Sequence, residues 1–191
     1  MQERSIILTV PGKHMALNAI AAMIAGVCLG ASVSGVIEGV EGFAGVHRRF
    51  QLRGRVGRIR VFDDYAHHPT EVRAVLTAAQ DMVDADGGRV VAIFQPHLYS
   101  RTRNFAPQFA AALDGADDVI VTGVYGAREQ PFDGIEGNMI TRLMRRGRFV
   151  QDRCEAAHEM AAEAQPGDMI ITMGAGNVTE LGPVILKDLS A

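Results

Sequence analysis

The feature that most constrains the fold is a regular alternation of short apolar runs with longer amphipathic stretches after residue 45. Short apolar runs are typical of buried strands, and the stretches between them have the periodicity of helices. The predicted strands are 59–62, 89–94, 118–122, 148–150 and 168–173, and the predicted helices are 69–83, 104–113, 135–146, 155–164 and 177–189. Such an alternation requires crossover connections, so it predicts a doubly wound α/β domain with a mostly parallel sheet.

Residues 1–45 have a different pattern. A short apolar run at 6–10 predicts a strand, and Pro11 and Gly12 then lead into an alanine-rich helical stretch. A second helix is predicted at 33–42, after which the composition changes from alanine and glycine to arginine. We therefore predict two units, a helical segment over 1–45 and the α/β domain over 46–191.

Composition excludes several classes of function. The net charge of -3 gives no bulk electrostatic reason for binding nucleic acid or an anionic membrane. The longest apolar run, 16–27, contains Asn18 and is too short to cross a bilayer, and no basic segment precedes it as in a signal peptide. We expect a cytoplasmic protein without nucleic-acid or membrane partners.

Polar clusters follow four of the predicted strands. Because the carboxyl ends of parallel strands meet along one edge of a sheet, and ligands bind there, we expect these clusters to form one site. The clusters are DDYAHHP at 63–69, QPHLYSRTR at 95–103, VYGAREQP at 124–131 and GAGN at 174–177.

The first cluster contains two adjacent aspartates and two adjacent histidines. Asp63 or Asp64 could bind a ribose hydroxyl or a hydrated magnesium ion, or could stabilise a turn or helix start. Adjacent residues in an extended segment point to opposite faces, so His67 and His68 are poorly placed to share a metal ion, even with His97 as a third ligand. We expect no metal site, and a single histidine that donates a hydrogen bond to an anionic substrate.

Arginines mark two other places. Arg101 and Arg103 follow a buried strand, and guanidinium groups there match carboxylates and phosphates, although solvated surface arginines are the alternative. Arg48 and Arg49 lie at the boundary between the two units, where they could reach a ligand in the cleft or could form a plain basic linker.

Familiar phosphate-binding and nucleophile motifs are missing. The glycines of MGAGN, 173–177, do not complete a dinucleotide fingerprint, and we expect them to permit tight backbone packing or a small-anion contact. The sequence contains neither GxxxxGK[ST] nor GxSxG. Any phosphate must therefore be bound by local groups.

Five segments in this order resemble the Mur ligase family: PGKHMALNAIAA, GVHRRFQ, FDDYAHHPTEV, FQPHLYSRTR and TMGAGN. Members of this family have three domains, which bind a UDP-sugar, ATP and an amino acid. The resemblance implies that 1–45 is the end of the central ATP-binding domain and that 46–191 is the Rossmann-like carboxy-terminal domain. The phosphate-binding loop belongs to the missing part of the central domain, so we expect this chain alone to be inactive.

The resemblance also implies a reaction. Within the family, the combination of DDYAHHPTEV and FQPHLYSRTR is similar to that of the ligases that join L-alanine to UDP-N-acetylmuramate in peptidoglycan precursor synthesis. ATP, with magnesium bound mostly by the absent part, would convert the sugar carboxylate to an acyl phosphate, which the alanine amine then attacks. This chemistry depends on positioning and charge neutralisation more than on a protein nucleophile.

Site residues are carried over by motif. The resemblance implies that His14 and Asn18 line the adenine pocket, that Arg49 approaches the phosphates, and that Asp64 contacts the nucleotide. The residues implied around alanine and the acyl phosphate are Tyr65, His67, His97, Arg101 and Arg103. Arg49, His67, Arg101 and Arg103 would be the catalytic residues. One departure is Met15, which stands where the family usually has an asparagine and cannot donate a hydrogen bond to adenine.

Three alternatives remain open at this point. A related ligase that attaches a preformed tripeptide is the nearest, a stand-alone non-catalytic nucleotide or small-molecule binding module is the second, and a zinc hydrolase is the third. The apolar helix of 1–45 would dock on the α/β domain, self-associate with a second copy, or expose an apolar face.

Overall fold

A computed structural model describes residues 5–131 and 134–191, without the side chains of 84–86. The first four residues of the predicted 1–45 unit therefore lie outside the described part. Among the described residues, six strands form one sheet: β1 (Gln51–Val56), β2 (Ile59–Asp64), β3 (Val90–Phe94), β4 (Asp118–Val121), β5 (Arg148–Phe149) and β6 (Met169–Met173). The described ranges also contain seven α-helices: α1 (Lys13–Cys28), α2 (Val33–Glu41), α3 (Pro69–Asp86), α4 (Tyr99–Leu113), α5 (Asn138–Thr141), α6 (Arg153–Glu163) and α7 (Leu181–Leu189).

The strand order is β1-β2-β6-β3-β4-β5. β1 runs antiparallel to β2, and the other neighbouring pairs are parallel. The last strand in the sequence, β6, lies between β2 and β3, so the chain crosses the sheet and places helices on both of its faces. The prediction of a doubly wound, mostly parallel sheet is confirmed.

Alternating side chains of the central strands enter two separate cores. In β3, Val90, Ala92 and Phe94 pack with α3 and α4, whereas Val91 and Ile93 pack on the other face with α6 and α7. All five residues of this strand are buried. Two-sided burial explains why β3 appears in the sequence as a continuous apolar run.

Two boundaries differ from the predictions because of local chemistry. α4 begins five residues before the predicted start at 104, where the backbone N–H and the hydroxyl of Ser100 both donate to Glu129. The helix predicted at 135–146 is wrong in length, since only α5 forms there. Arg145 instead pairs with Asp114 through its backbone N–H and its guanidinium.

One predicted strand is wrong and one real strand was missed. Residues 5–8 have no regular structure and 9–10 form a bend, so the strand predicted at 6–10 does not form. A strand needs a neighbour, and no described strand lies beside this segment. β1 was not predicted because its sequence, QLRGRV, has only two strongly apolar residues, as suits an edge strand.

The helical segment before the sheet exposes an apolar face. Every residue of α1 is at least partly exposed, including Leu17 at 59%, Ile20 at 53% and Ile24 at 60%. Within the single chain this apolar face is not covered by the α/β domain, and its pairing with a second copy stays a prediction. No helix among the described residues is both long and apolar enough to cross a membrane. The domain boundary near residue 45 stays a prediction.

Candidate functional site

The polar clusters meet at the carboxyl ends of the parallel strands. Met173 at the end of β6 lies beside Asp64 of β2 on one side and beside Phe94 of β3 on the other. Phe94 in turn lies beside Val121 of β4. The structure therefore brings the four clusters to one side of the sheet, which we call the carboxyl edge and define as residues 63–68, 95–101, 122–129 and 174–177.

Asp64 is buried, and backbone amides occupy both of its carboxylate oxygens. Oδ1 accepts from the N–H of Ala66 and Oδ2 from the N–H of Phe50, each at 2.7 Å. Burial raises the pKa of Asp64 above its ordinary value, and the two amide hydrogen bonds oppose that rise. In this conformation, Asp64 stabilises the turn that follows β2, and its predicted nucleotide contact stays a prediction.

Asp63 is fully buried on the opposite face of β2. Its oxygens accept hydrogen bonds from the hydroxyls of Thr172, at 2.8 Å, and Thr179, at 2.6 Å. The Nε atom of Arg48 lies 3.5 Å from Oδ2. Because protein donors already surround both aspartates, they do not fit a magnesium site in this structure.

Arg48 and Arg49 are adjacent but have different surroundings. The Nη2 atom of Arg48 donates to the carbonyl oxygens of Gly174, at 2.6 Å, and Gly176, at 3.1 Å. The guanidinium of Arg49 lies 5.6 Å from the ring centroid of Tyr65, and that of Arg48 lies 4.8 Å from it. Arg48 is therefore bound to the protein, whereas Arg49 remains able to reach a ligand.

His67 has one ring nitrogen directed into the protein. Its Nδ1 atom lies 2.9 Å from the carbonyl oxygen of Tyr65 and 3.4 Å from a carboxylate oxygen of Glu71. A carbonyl can only accept, so Nδ1 carries a proton and Nε2 is left for a ligand. Glu71 also accepts from the backbone N–H groups of His67 and His68, which is why its pKa is lowered despite partial burial.

His68 has a different role from its neighbour. Its Nδ1 atom accepts from the backbone N–H of Thr70 at the start of α3, and its ring packs against Phe105. The ring of His67 instead lies 6.0 Å from that of His97. Across residues 5–131 and 134–191, no group of three or more His, Cys, Asp or Glu side chains could hold one metal ion.

His97 lies between an aromatic ring and an arginine. Its ring stacks on Tyr125, with centroids 5.7 Å apart and an interplanar angle of 17°. Its Nδ1 atom lies 3.5 Å from Nη1 of Arg101, which lies in the first turn of α4. Burial and the positive charge of Arg101 lower the pKa of His97, so its neutral form is favoured.

The two candidate arginines of α4 diverge. Arg101 is half-buried beside His97, whereas Arg103 is exposed and its Nε atom contacts Asn104. Two residues correspond to about 200° of helical rotation, so the two side chains project in nearly opposite directions. The structure thus groups Tyr65, His67, His97 and Arg101, and leaves Arg103 away from them.

The glycine-rich segment after β6 packs tightly against this group. A Cβ atom on Gly176 would lie 2.4 Å from Oε1 of Gln95 and 2.6 Å from the ring of Tyr125. Gln95 is buried, donates to Asn177 and accepts from the N–H of Val178. The glycines therefore permit close packing, which was one of the two expected roles.

His14 and Asn18 lie one turn apart on α1. Among the described residues, neither makes a hydrogen bond, ion pair or ring contact with the carboxyl edge. A cavity of about 500 Å³ does connect the segment before α1 to Arg49. Its wall includes Thr9, Pro11, His47, Arg49 and Phe62.

Sequence reasoning gave no role to Tyr125 and left that of Arg48 open. Tyr125 lies in one of the polar clusters, but its stacking on His97 depends on backbone hydrogen bonds that connect 125 to Pro96 and Leu98. The sequence does not distinguish Arg48 from Arg49. The backbone conformation of the turn determines which of the two guanidinium groups faces the protein.

Comparisons with known proteins show what the chain as a whole is similar to. The UDP-N-acetylmuramate–L-alanine ligase of Rhodococcus erythropolis is 53% identical over 97% of this chain, which spans 39% of that protein. The crystal structure of the UDP-N-acetylmuramate-alanine ligase of Thermotoga maritima has a TM-score of 0.77 and is 32% identical; the match covers 96% of this chain and 39% of that one. The murein peptide ligase of Psychrobacter arcticus has a TM-score of 0.71 at 25% identity, over 96% of this chain and 38% of that one.

The chain thus spans about two fifths of the length of the curated relatives that it matches. The family described as "Mur ligase, glutamate ligase domain" matches residues 48–176, which contain the sheet and nearly all of the carboxyl edge. On this match, supported by the likeness in fold, the chain belongs to the Mur ligase family.

Proposed function

We propose that this chain is the carboxy-terminal part of an ATP-dependent ligase that joins L-alanine to UDP-N-acetylmuramate. The observation that carries the proposal is the grouping of His67, His97 and Arg101 at the carboxyl edge, with Arg49 close by across Tyr65. These groups can bind anions and donate hydrogen bonds. The name of the Rhodococcus erythropolis relative supplies the substrates.

The proposed reaction has two steps. An oxygen of the sugar carboxylate attacks the γ-phosphorus of ATP, the bond from that phosphorus to the bridging oxygen of ADP breaks, and an acyl phosphate forms. The neutral amine of alanine then attacks the acyl carbon, the C–O bond to phosphate breaks, and the amine proton passes to solvent or to the released phosphate. Both steps concentrate negative charge, which arginine stabilises when it is held in position.

Each residue of the group has a proposed part in these steps. Arg49 binds the transferred phosphoryl group, because its guanidinium has no described ion pair or hydrogen bond within the protein. Arg101 binds the alanine carboxylate or the acyl phosphate. His67, when protonated, donates from Nε2 to the same anion while Nδ1 stays bound to the carbonyl of Tyr65. Arg103 is left out of this scheme and stays a sequence prediction.

We place the nucleotide on the side of Arg49 that faces the cavity of about 500 Å³. This volume lies within the usual range for small-molecule sites. His14 and Asn18 remain the proposed adenine contacts. Magnesium would be bound mainly by the phosphates and by the part of the ligase that this chain does not include, because Asp63 and Asp64 are occupied by protein donors.

The test is complementation. This chain is mixed with the remaining amino-terminal part of the Rhodococcus erythropolis relative, and ATP-dependent incorporation of labelled L-alanine into UDP-N-acetylmuramate is measured. We expect no activity from either piece alone and measurable activity from the mixture. To separate failed reassembly from a wrong proposal, the two parts are also joined in a single hybrid chain. A folded hybrid that binds ATP but forms no product would contradict the proposal, and would favour a non-catalytic binding module.

A further inference from the structure

We infer that Arg48 is a positioning residue, which holds the turn at 47–50 so that Arg49 and Tyr65 face the substrate. The link to catalysis rests on the proposed ligase function, whereas the mechanical role can be tested without it. The inference starts from the different environments of the two adjacent arginines.

Arg48 connects three segments that are far apart in the sequence. Its Nη2 atom donates to the carbonyls of Gly174 and Gly176 in the loop after β6. Its Nε atom lies 3.5 Å from the fully buried carboxylate of Asp63 in β2. One guanidinium therefore ties the turn at 47–50 to the ends of β2 and β6, which are neighbouring strands of the sheet.

The turn itself has an unusual backbone. Arg48 has a φ of 58° and Phe50 has a φ of 46°, so left-handed residues lie on both sides of Arg49. Such conformations are unfavourable for residues other than glycine, and they persist only when the surroundings enforce them. Here the carbonyl of Arg48 accepts from the N–H of Tyr65, and the N–H of Phe50 donates to Asp64.

These contacts determine the direction of Arg49. With residues 48 and 50 both held to the end of β2, the side chain of Arg49 is directed towards the ring of Tyr65 and the wall of the cavity. Tyr65 is fixed in the same way, because its N–H and its ring both contact Arg48. Its carbonyl in turn orients His67. A loosened Arg48 would therefore disturb the phosphate side and the amino-acid side together.

Lysine cannot replace this arginine. A single ammonium group could bind the two glycine carbonyls, but it could not also lie beside Asp63 or against the face of Tyr65 with the same geometry. We thus expect Arg48→Lys to be impaired, and Arg48→Gln to be impaired further.

The matched control is Arg89, which pairs with the buried Asp168 at 2.6 Å on the opposite edge of the sheet. Arg89→Gln removes a hydrogen-bonded contact to a buried carboxylate, far from the carboxyl edge. Stability losses of the two glutamine variants are compared by thermal unfolding. At equal stability, a lower activity of Arg48→Gln than of Arg89→Gln would then reflect displaced site residues and not general destabilisation.

Hydrogen exchange of this chain provides the first readout. In Arg48→Gln and Arg48→Lys, we expect at least tenfold faster exchange at the amides of Gly174 and Tyr65, which are hydrogen-bonded to Asp64 and Arg48. Exchange in β4 should remain unchanged. In Arg89→Gln, the amides of Gly174 and Tyr65 should retain their protection. Unchanged exchange at these two amides in both Arg48 variants would overturn the inference, whatever the activity of the protein.

Kinetics of the active hybrid provide the second readout. A displaced Arg49 weakens transition-state binding more than ground-state binding, so we expect Arg48→Gln to lower kcat about tenfold or more, with smaller changes in KM. A loss no larger than that of Arg89→Gln, at an equal folded fraction, would overturn the inference. If the unmodified hybrid is inactive, the proposed function fails, and hydrogen exchange alone decides the role of Arg48.

Discussion

Asp63 and Asp64 are neighbours in β2, yet their carboxylates stabilise different parts of the molecule. Asp63 accepts from Thr172 and Thr179 and lies beside Arg48, whereas Asp64 accepts from the backbone of Phe50 and Ala66. Successive strand residues point to opposite faces, so one pair of identical side chains holds both sides of the strand end. The two adjacent acidic residues thus hold the segments around the end of β2 in place.

The stability of the protein should depend on the ionisation of Asp64. Its folded pKa is raised above the unfolded value by burial, so its favourable contribution is complete below a pH of about 3.8 and is lost as the pH rises through the folded pKa. In Asp64→Asn, this pH dependence disappears. As the pH rises, we expect the unfolding free energy of the unmodified chain to fall relative to that of Asp64→Asn.

Denaturant unfolding from pH 3.5 to 7 measures this difference. Contributions of other groups, such as the lowered pKa of Glu71, are present in both proteins and cancel. A difference that is constant across the range would show that the pKa of Asp64 is not raised in the folded state. The loss of one acceptor in Asp64→Asn adds only a constant offset.

His97 should titrate below the usual histidine range because of burial and the neighbouring charge of Arg101. We expect Arg101→Gln to raise the pKa of His97, since it removes a positive charge that lies beside the imidazole. Arg103→Gln is the matched control, because that side chain is exposed and projects in nearly the opposite direction. NMR titration of the imidazole carbons measures both, and equal effects of the two variants would refute the assigned geometry.

Gly176 should tolerate no side chain. An added methyl group would overlap with Gln95 and with the ring of Tyr125, and such overpacking typically costs about 1–3 kcal/mol. Gly39 in α2 is the control, because nothing lies within 4 Å of its added Cβ and alanine favours helices by about 0.5–1 kcal/mol. Thermal unfolding should therefore show Gly176→Ala melting lower, and Gly39→Ala melting at or above the parent temperature.

The exposed face of α1 should make this chain self-associate and bind an apolar dye. We expect the double variant Ile20→Lys and Ile24→Lys to reduce both effects several-fold without lowering the melting temperature, because neither residue is buried. Leu143→Lys, at an isolated position that is 55% exposed, should change neither. Sedimentation and dye fluorescence test this, and a monomeric parent chain that binds no dye would contradict it.

Much of the α/β domain could be predicted, because its buried strands and amphipathic helices have distinct periods. The two strand predictions that failed concern segments whose pairing or burial the local pattern does not specify. The run at 6–10 looks like a strand, but pairing depends on a neighbour that the local sequence does not specify. β1 carries the weak pattern of an edge strand.

The candidate site was predictable in outline only. Parallel strands must bring their following loops together, so the grouping of His67, His97 and Arg101 follows from the fold class. The separate roles of Arg48 and Arg49 do not follow from it, since they depend on two left-handed backbone residues. The stacking of Tyr125 on His97 likewise depends on a loop conformation that has no sequence period.

The most direct test of the account compares Arg101→Ala and His67→Ala with Arg145→Gln in the active hybrid ligase. Arg145 pairs with Asp114 away from the carboxyl edge, and its side chain is 80% exposed. We predict that the first two variants lose at least a hundredfold in kcat/KM for L-alanine while remaining folded, and that Arg145→Gln stays within twofold of the parent. Folded His67→Ala and Arg101→Ala variants with parental kcat/KM would contradict the claim that the carboxyl edge binds the amino acid.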